Sequence, residues 1–297
     1  MSAMQYRQIV GTSLPVARLV MGTMIVNIQE RERSFELLDA VFALGGNAFD
    51  TAHVYAGGNS ERCLGAWLQA RGNRDKVFIL SKGCHPNQDR VRVSPFDLAA
   101  DLYDTLARLQ TDYLDAYVLH RDDPSVPVSL IMDALNEHHA AGRIRLFGGS
   151  NWTHQRIAEA NAYAASHGLV PMTISSPNYG LAEQVLDPWG PGCVSISGPS
   201  NVDARAWYTA SQMPVFAYSS LGRGLFSGRF SRENMADSVK LLDNAARKAY
   251  LHEVNLRRLD RVQLLAAQRG CSVPQVALAY VLHSPLNVFP IVGAANG

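Results

Sequence analysis

The sequence lacks an excess of charge of either sign. Its 297 residues carry 27 Lys and Arg against 26 Asp and Glu, a formal net charge of +1. A surface built for nucleic acid needs a clear surplus of Lys and Arg, so nucleic acid is excluded as the main partner. Cysteine is scarce: Cys63, Cys84, Cys193 and Cys271 are scattered, with no C-x-x-C pair. They form neither a disulfide framework nor a zinc site, and they suit the reducing conditions of the cytoplasm. No apolar run approaches the roughly 20 residues that a bilayer-spanning helix needs, so no membrane partner is expected. The start, Met1-Ser2-Ala3-Met4-Gln5-Tyr6-Arg7, lacks the apolar core of a signal peptide. Nothing in the pattern specifies an oligomeric state.

What is present is a chain with 47% hydrophobic residues, enough to bury a substantial core. After an N-terminal hairpin, strand-like apolar segments occur at 17–22, 47–55, 77–82, 114–120, 144–150, 172–176, 214–218 and 287–291. Segments with helical spacing lie between them, at about 30–44, 60–70, 94–109, 130–139, 153–167, 204–211, 250–269 and 273–283. Ser60, Ser94 and Ser129 are the expected N-caps. Two long loops, 177–201 and 221–242, exceed what mere connection requires.

Continuously apolar strands alternating with helices imply a parallel sheet covered on its outer face. Eight of them suit a closed (β/α)8 TIM barrel, with an open doubly wound sheet as the alternative. Asp50, Lys82, His120, Ser150-Asn151 and Tyr218 end five different strands. A barrel gathers such ends at one mouth, whereas an open sheet strings them along an edge. The expectation is one barrel domain over residues 1–297. A complete unit also needs a helix after the last strand, and only a few residues follow Ile291. The sequence therefore reads as truncated at its C-terminus, without its final barrel helix.

Singly, these polar residues have ordinary explanations. A buried Asp caps, a Lys at a strand end is solvated, and a Tyr packs its ring. Together they form an acid–base set. A Tyr hydroxyl ionises near pH 10, and bringing it to about 7 needs roughly 4 kcal/mol at about 1.4 kcal/mol per unit. One ammonium about 4 Å away supplies on the order of 4 kcal/mol at an effective dielectric near 20. Lys82 is thus sufficient to tune Tyr55, Asp50 keeps Lys82 charged, and neutral His120 is available to orient a substrate carbonyl. A metal-dependent hydrolase using His53, His120 and Asp122 is the poorer reading, because no His-x-His pair is present.

Phe49-Asp50-Thr51-Ala52-His53-Val54-Tyr55, Ser81-Lys82-Gly83, Leu119-His120-Arg121 and Gly148-Gly149-Ser150-Asn151-Trp152 resemble motifs of the aldo-keto reductase superfamily, in that family's order. The run Leu119-His120-Arg121-Asp122-Asp123-Pro124 is most similar to its bacterial and sugar-related branch. The resemblance implies an NADPH-dependent enzyme that reduces an aldehyde or ketone, sugar-derived carbonyls among them. It places the catalytic tetrad on Asp50, Tyr55, Lys82 and His120. It further implies that Gly22, Thr23, Met24, Ser150, Asn151 and Tyr218 meet the nicotinamide end, with Asp50 facing the ribose. Ser219, Leu221, Gly222 and Gly224 would follow the pyrophosphate. Ser176 stands where the family usually has Gln. No Lys or Arg follows Ile291 to hold a 2′-phosphate, so NADH stays open beside NADPH. Trp152 and Tyr179 suggest a partly aromatic wall for the substrate. A non-catalytic, NADP-binding regulatory or partner-binding subunit on the same fold is the alternative.

Overall fold

The computed structural model describes residues 4–294. The expectation of a truncated C-terminus rests on the last residues of the chain, and 295–297 lie outside the described ones. Strands β1 (Tyr6–Gln8) and β2 (Pro15–Ala17) form an antiparallel hairpin. Then follow β3 (Val20–Gly22), α1 (Arg31–Ala43), β4 (Ala48–Asp50), α2 (Asn59–Arg71), β5 (Phe78–Gly83) and α3 (Pro95–Leu109). Next come β6 (Leu114–Leu119), α4 (Val128–Ala140), β7 (Ile144–Ser150), α5 (His154–His167) and β8 (Ile174–Ser176). The remainder holds α6 (Val202–Ser211), β9 (Val215–Ala217), α7 (Met235–Lys240), α8 (Asn244–Tyr250), α9 (Glu253–Arg269), α10 (Val273–Leu282) and β10 (Val288–Val292). Eight strands close into a barrel in the order β10-β3-β4-β5-β6-β7-β8-β9. This is the expected (β/α)8 barrel with its N-terminal hairpin. By compactness the chain divides into two units, Pro177–Val292 and the residues on either side of it.

In the first unit the register is parallel and fixes which side chains share a level. Gly22 pairs with Asp50, Asp50 with Leu80, Lys82 with Val118, Leu119 with Gly149, and Ser150 with Ser176. Strands β5 and β6 are buried at every residue, as helices covering the sheet require. In the second unit β9 and β10 pair in parallel, Val215 opposite Val288.

Several expected boundaries shift for local reasons. The second strand ends at Asp50 rather than Tyr55, because a tight turn takes over at Tyr55–Gly58. Ala56, Gly57 and Gly58 there adopt the left-handed conformation, with φ of 50°, 62° and 89°. Ser60 does not cap α2: its hydroxyl donates instead to Thr23 O at 2.8 Å, tying the helix to the end of β3. Ser129 lies inside α4, which starts at Val128 after an uncapped Pro127. Ser94 does cap α3, accepting from Asp97 N at 3.1 Å, with Pro95 at the first helical position. The helix expected at 250–269 is α9, which starts at Glu253 after a break at Leu251 and His252. Helix α7 falls inside the expected loop 221–242 and α8 precedes the break, neither of them expected.

Gly65 shows how closely the helices of the first unit pack. A Cβ placed there would lie 2.3 Å from Arg108 O and 2.7 Å from Leu109 Cα, both backbone atoms of α3. Alanine ordinarily stabilises a helix interior over glycine by about 1 kcal/mol. Gly65→Ala is expected to do the reverse and lower the unfolding midpoint in a thermal melt. A raised midpoint would show that α2 and α3 have slack.

Candidate active site

The site of the first unit starts with Lys82, near the end of β5. Lys82 is 2% exposed, and its ammonium lies 2.6 Å from Asp50 Oδ1. It also donates to Thr51 O at 2.8 Å and to Tyr55 Oη at 3.1 Å. An ammonium has three protons, and here it has three partners. Burial alone would drive the Lys82 pKa down, but Asp50 and Tyr55 outweigh it and hold it above the usual lysine value. Asp50 is pushed up by its own burial, against the pull of Lys82. Asp50 Oδ1 takes no well-directed hydrogen bond, despite the short approach of the ammonium.

His120, just after β6, completes the set. Its ring lies edge-on to Tyr55, with centroids 5.9 Å apart. Its backbone is held at both ends, by His120 N donating to Gly83 O (2.7 Å) and by Asn151 Nδ2 donating to His120 O (3.1 Å). Burial, reinforced by Lys82, His85 and Arg121, holds the imidazole pKa well below its ordinary value. A neutral imidazole donates a hydrogen bond without competing for the proton.

The remaining expected residues of this unit divide by role. Thr23 donates to Asp50 O from both its amide (2.9 Å) and its hydroxyl (3.0 Å), bracing the strand that carries the carboxylate. Gly22 is the register partner of Asp50, while the Met24 side chain is exposed. Ser150 Oγ donates to Ser176 O at 2.9 Å, so these two residues are bound to each other across β7 and β8. Asn151 sits at φ 58°, left-handed, which turns the chain sharply after β7. Trp152 is wholly buried and spends its indole N–H on Arg121 O at 3.1 Å. It packs as core and presents no exposed wall. His53, without a role in the sequence, is a brace: its amide donates to Lys82 O (2.9 Å), and its ring meets Asp104 Oδ2 (3.1 Å).

In the unit Pro177–Val292, the Tyr218 ring is half-buried, and its hydroxyl donates to Val194 O at 3.3 Å. Ser219, Gly222, Arg223 and Gly224 all have positive φ. The amides of Gly222 and Gly224 donate to Ser219 O and Leu221 O, so these two are spent inside the loop. Tyr179 is buried beside Tyr280, and burial raises its hydroxyl to about 12, so it too is not an exposed aromatic wall.

Three contributors escape a reading by sequence. His85 lies with its ring 4.8 Å from that of His120. Cys84 before it holds φ at 60°, and Cys84 N donates to Asp101 Oδ2 at 2.8 Å, which secures that strained turn. Asn178 donates to Tyr218 O and to the Tyr250 hydroxyl, both at 3.0 Å. Trp189 lies 5.8 Å from the Tyr218 ring. The only available signal was the placement of His85 and Asn178 just beyond strand ends.

No three His, Cys, Asp or Glu side chains are gathered as a metal site among the described residues. Asp122, which the metal reading needed, is paired with Arg156 at 3.2 Å. No helix among the described residues is long and apolar enough to cross a membrane.

The family model described as the aldo/keto reductase family matches residues 18–297. Norsolorinic acid reductase B of Dothistroma septosporum is 29% identical, over 98% of this chain and 74% of its own. An aryl-alcohol dehydrogenase of Pestalotiopsis microspora is 30% identical, over 89% of this chain and 65% of its own. An aldo-keto reductase of Bacillus subtilis is 26% identical, over 95% and 82%.

Folding lowers the His120 pKa, so the unfolded chain binds that proton more tightly. Its contribution to stability is intact above the ordinary histidine pKa of about 6.5 and falls as the pH drops below it. Between pH 7.5 and 5 the loss from this group is at most about 2 kcal/mol, at about 1.4 kcal/mol per unit. His120→Gln is expected to lose less stability than the parent over that range, measured by urea unfolding. Equal losses would show that His120 is not held neutral.

Proposed function

The chain belongs to the aldo/keto reductase family, a family of oxidoreductases acting on carbonyl compounds, and from that premise we propose that it reduces an aldehyde or ketone to the alcohol with Tyr55 as general acid. The observation that carries the proposal is Lys82 Nζ, buried 2.6 Å from Asp50 and 3.1 Å from the Tyr55 hydroxyl. The ammonium stabilises the phenolate left behind when Tyr55 gives up its proton, and Asp50 keeps that ammonium charged. Neutral His120, edge-on to Tyr55, donates a hydrogen bond to the substrate oxygen and orients it. The lone pairs on that oxygen thus meet the Tyr55 proton as negative charge develops there.

This acid set moves a proton, and none of its members supplies a hydride. A nicotinamide cofactor, NADPH by family resemblance with NADH as the alternative, would supply that hydride. Asp50 Oδ1, buried and without a well-directed hydrogen bond, fits a ribose hydroxyl donor. On this reading Gly22, Thr23, Met24, Ser150, Asn151 and Ser176 hold the nicotinamide end in the first unit. In the unit Pro177–Val292, the half-buried Tyr218 ring is the stacking candidate. The loop from Ser219 through Leu221 to Gly224, in which Ser219, Gly222, Arg223 and Gly224 have positive φ, is the candidate for the pyrophosphate. The substrate is a small carbonyl compound, with sugar-derived carbonyls within the class. Norsolorinic acid and aryl alcohols, named for the relatives, extend the set worth testing to aryl carbonyls. One barrel domain over residues 1–297 and a cytoplasmic location belong to the same reading, and the four free cysteines are in keeping with the latter.

Tyr55→Phe keeps the ring and removes the proton. It is expected to lower kcat for aldehyde reduction by at least about 100-fold, the low end of general-acid contributions, while the Kd for NADPH, read by fluorescence titration, changes less than about threefold. Unchanged turnover would remove Tyr55 from the role of acid. NADPH binding by the parent protein, with no turnover across a panel of aldehydes and ketones, would favour the non-catalytic subunit instead.

A further inference from the structure

The unit Pro177–Val292 contains a cavity of about 480 Å³, within the range of small-ligand sites. It opens among the loop before α6 and the helices α6, α9 and α10. Three of its lining side chains are guanidiniums: Arg205, Arg258 and Arg261. Arg258 has a counter-charge, Glu183 Oε2 at 2.9 Å from its Nη2. Arg205 and Arg261 have no carboxylate within ion-pair distance among the described residues. The cavity therefore carries an excess of about two positive charges that the protein itself does not neutralise.

Arg205 is also preorganised. It is half-buried, and its Nη1 donates to Ile196 O at 2.8 Å and Gly198 O at 2.6 Å. Those bonds fix the guanidinium plane through one nitrogen and leave Nε and Nη2 without a described acceptor. A guanidinium held in plane with an open edge is suited to two parallel bonds to an oxyanion. The loop that pins it is itself constrained: Gly198 has φ +79°, and a Cβ there would lie 2.8 Å from the Glu183 side chain. Arg258 is fastened to the same framework through Leu181 O and Asn255 Oδ1, both at 3.3 Å.

The rest of the lining is apolar. Tyr280 and Leu265 are 46% and 40% exposed, and Leu181 is partly buried. Tyr280 is backed by the buried Tyr179 ring, with centroids 6.1 Å apart. A carboxylate would neutralise only one of the two unpaired guanidiniums. A phosphate monoester carries about −1.5 to −2 charges near pH 7 and matches both.

We propose that this cavity binds a phosphate monoester with an aromatic or apolar body, the phosphate taken by Arg205 and Arg261 and the body by Tyr280 and Leu265. The geometry is independent of the Tyr55 chemistry, so the two proposals stand or fall separately.

Calorimetric titration of the full chain with phenyl phosphate tests it, with inorganic phosphate and phenol as controls. Phenyl phosphate should bind at least about tenfold more tightly than either control, since each half of the ligand has its own wall. Arg261 is exposed and engaged in no hydrogen bond or ion pair among the described residues, so Arg261→Ala should fold normally. That variant should weaken phenyl phosphate binding about tenfold, as the loss of one charge-assisted contact does. Tyr55→Phe should leave it unchanged. Equal affinity in the parent and Arg261→Ala would overturn the site, as would the absence of binding at millimolar ligand. Equal affinity for inorganic and phenyl phosphate would overturn the apolar half.

Discussion

A buried ammonium against a buried carboxylate sets the terms for the first unit. Taking both charges out of water is costly, and such a pair adds little net stability over well-packed apolar residues. Removing one partner leaves an uncompensated charge and costs about 3–5 kcal/mol. The Lys82–Asp50 pair is therefore better explained by what it does than by what it stabilises. It fixes a cation 3.1 Å from the Tyr55 hydroxyl, in a place where water screens it little.

The surrounding structure holds that geometry against strain. The Tyr55 turn runs through three consecutive left-handed residues, Ala56, Gly57 and Gly58, and Ala56 pays a steric cost there. The turn is fastened from α3: Arg108 Nη1 donates to His53 O at 2.9 Å, and Arg108 in turn meets Glu61 Oε2 at 3.2 Å. Glu61 is buried and also accepts from Ser81 and Thr105, both at 2.8 Å. Burial raises its pKa, while these partners and Arg108 draw it back. One buried carboxylate thus connects the strand that carries Lys82 to the turn that carries Tyr55. This is a positioning network, and its members never reach the substrate oxygen in the proposed mechanism.

Much of this was legible in the chain. Asp50, Lys82 and His120 stand out because a buried parallel strand is apolar along its length, so a polar residue at its end marks where the sheet meets solvent. Trp152 and Tyr179, expected to form a partly aromatic wall for the substrate, are both buried, since aromatic residues in loops look alike in sequence whether they pack inward or outward. A serine before a helical pattern says nothing of a competing partner, as at Ser60, or of a helix that starts one residue earlier, as at Ser129. Thr23, 37 residues away, takes the Ser60 hydroxyl. His85, Asn178 and the Arg108–Glu61 pair gave almost no signal, since their roles depend on neighbours far along the chain.

The sequence by itself determined the alternation of strands and helices, the barrel class and the polar residues Asp50, Lys82 and His120 at or beside strand ends. Each of these follows from local pattern: period, turn residues and the chemistry of strand ends. Tertiary structure alone decided that Lys82 has three partners, that His120 is held neutral, and that Arg205 and Arg261 border a cavity without counter-charges. Those properties depend on distance and burial in space, and a one-dimensional order of residues carries neither.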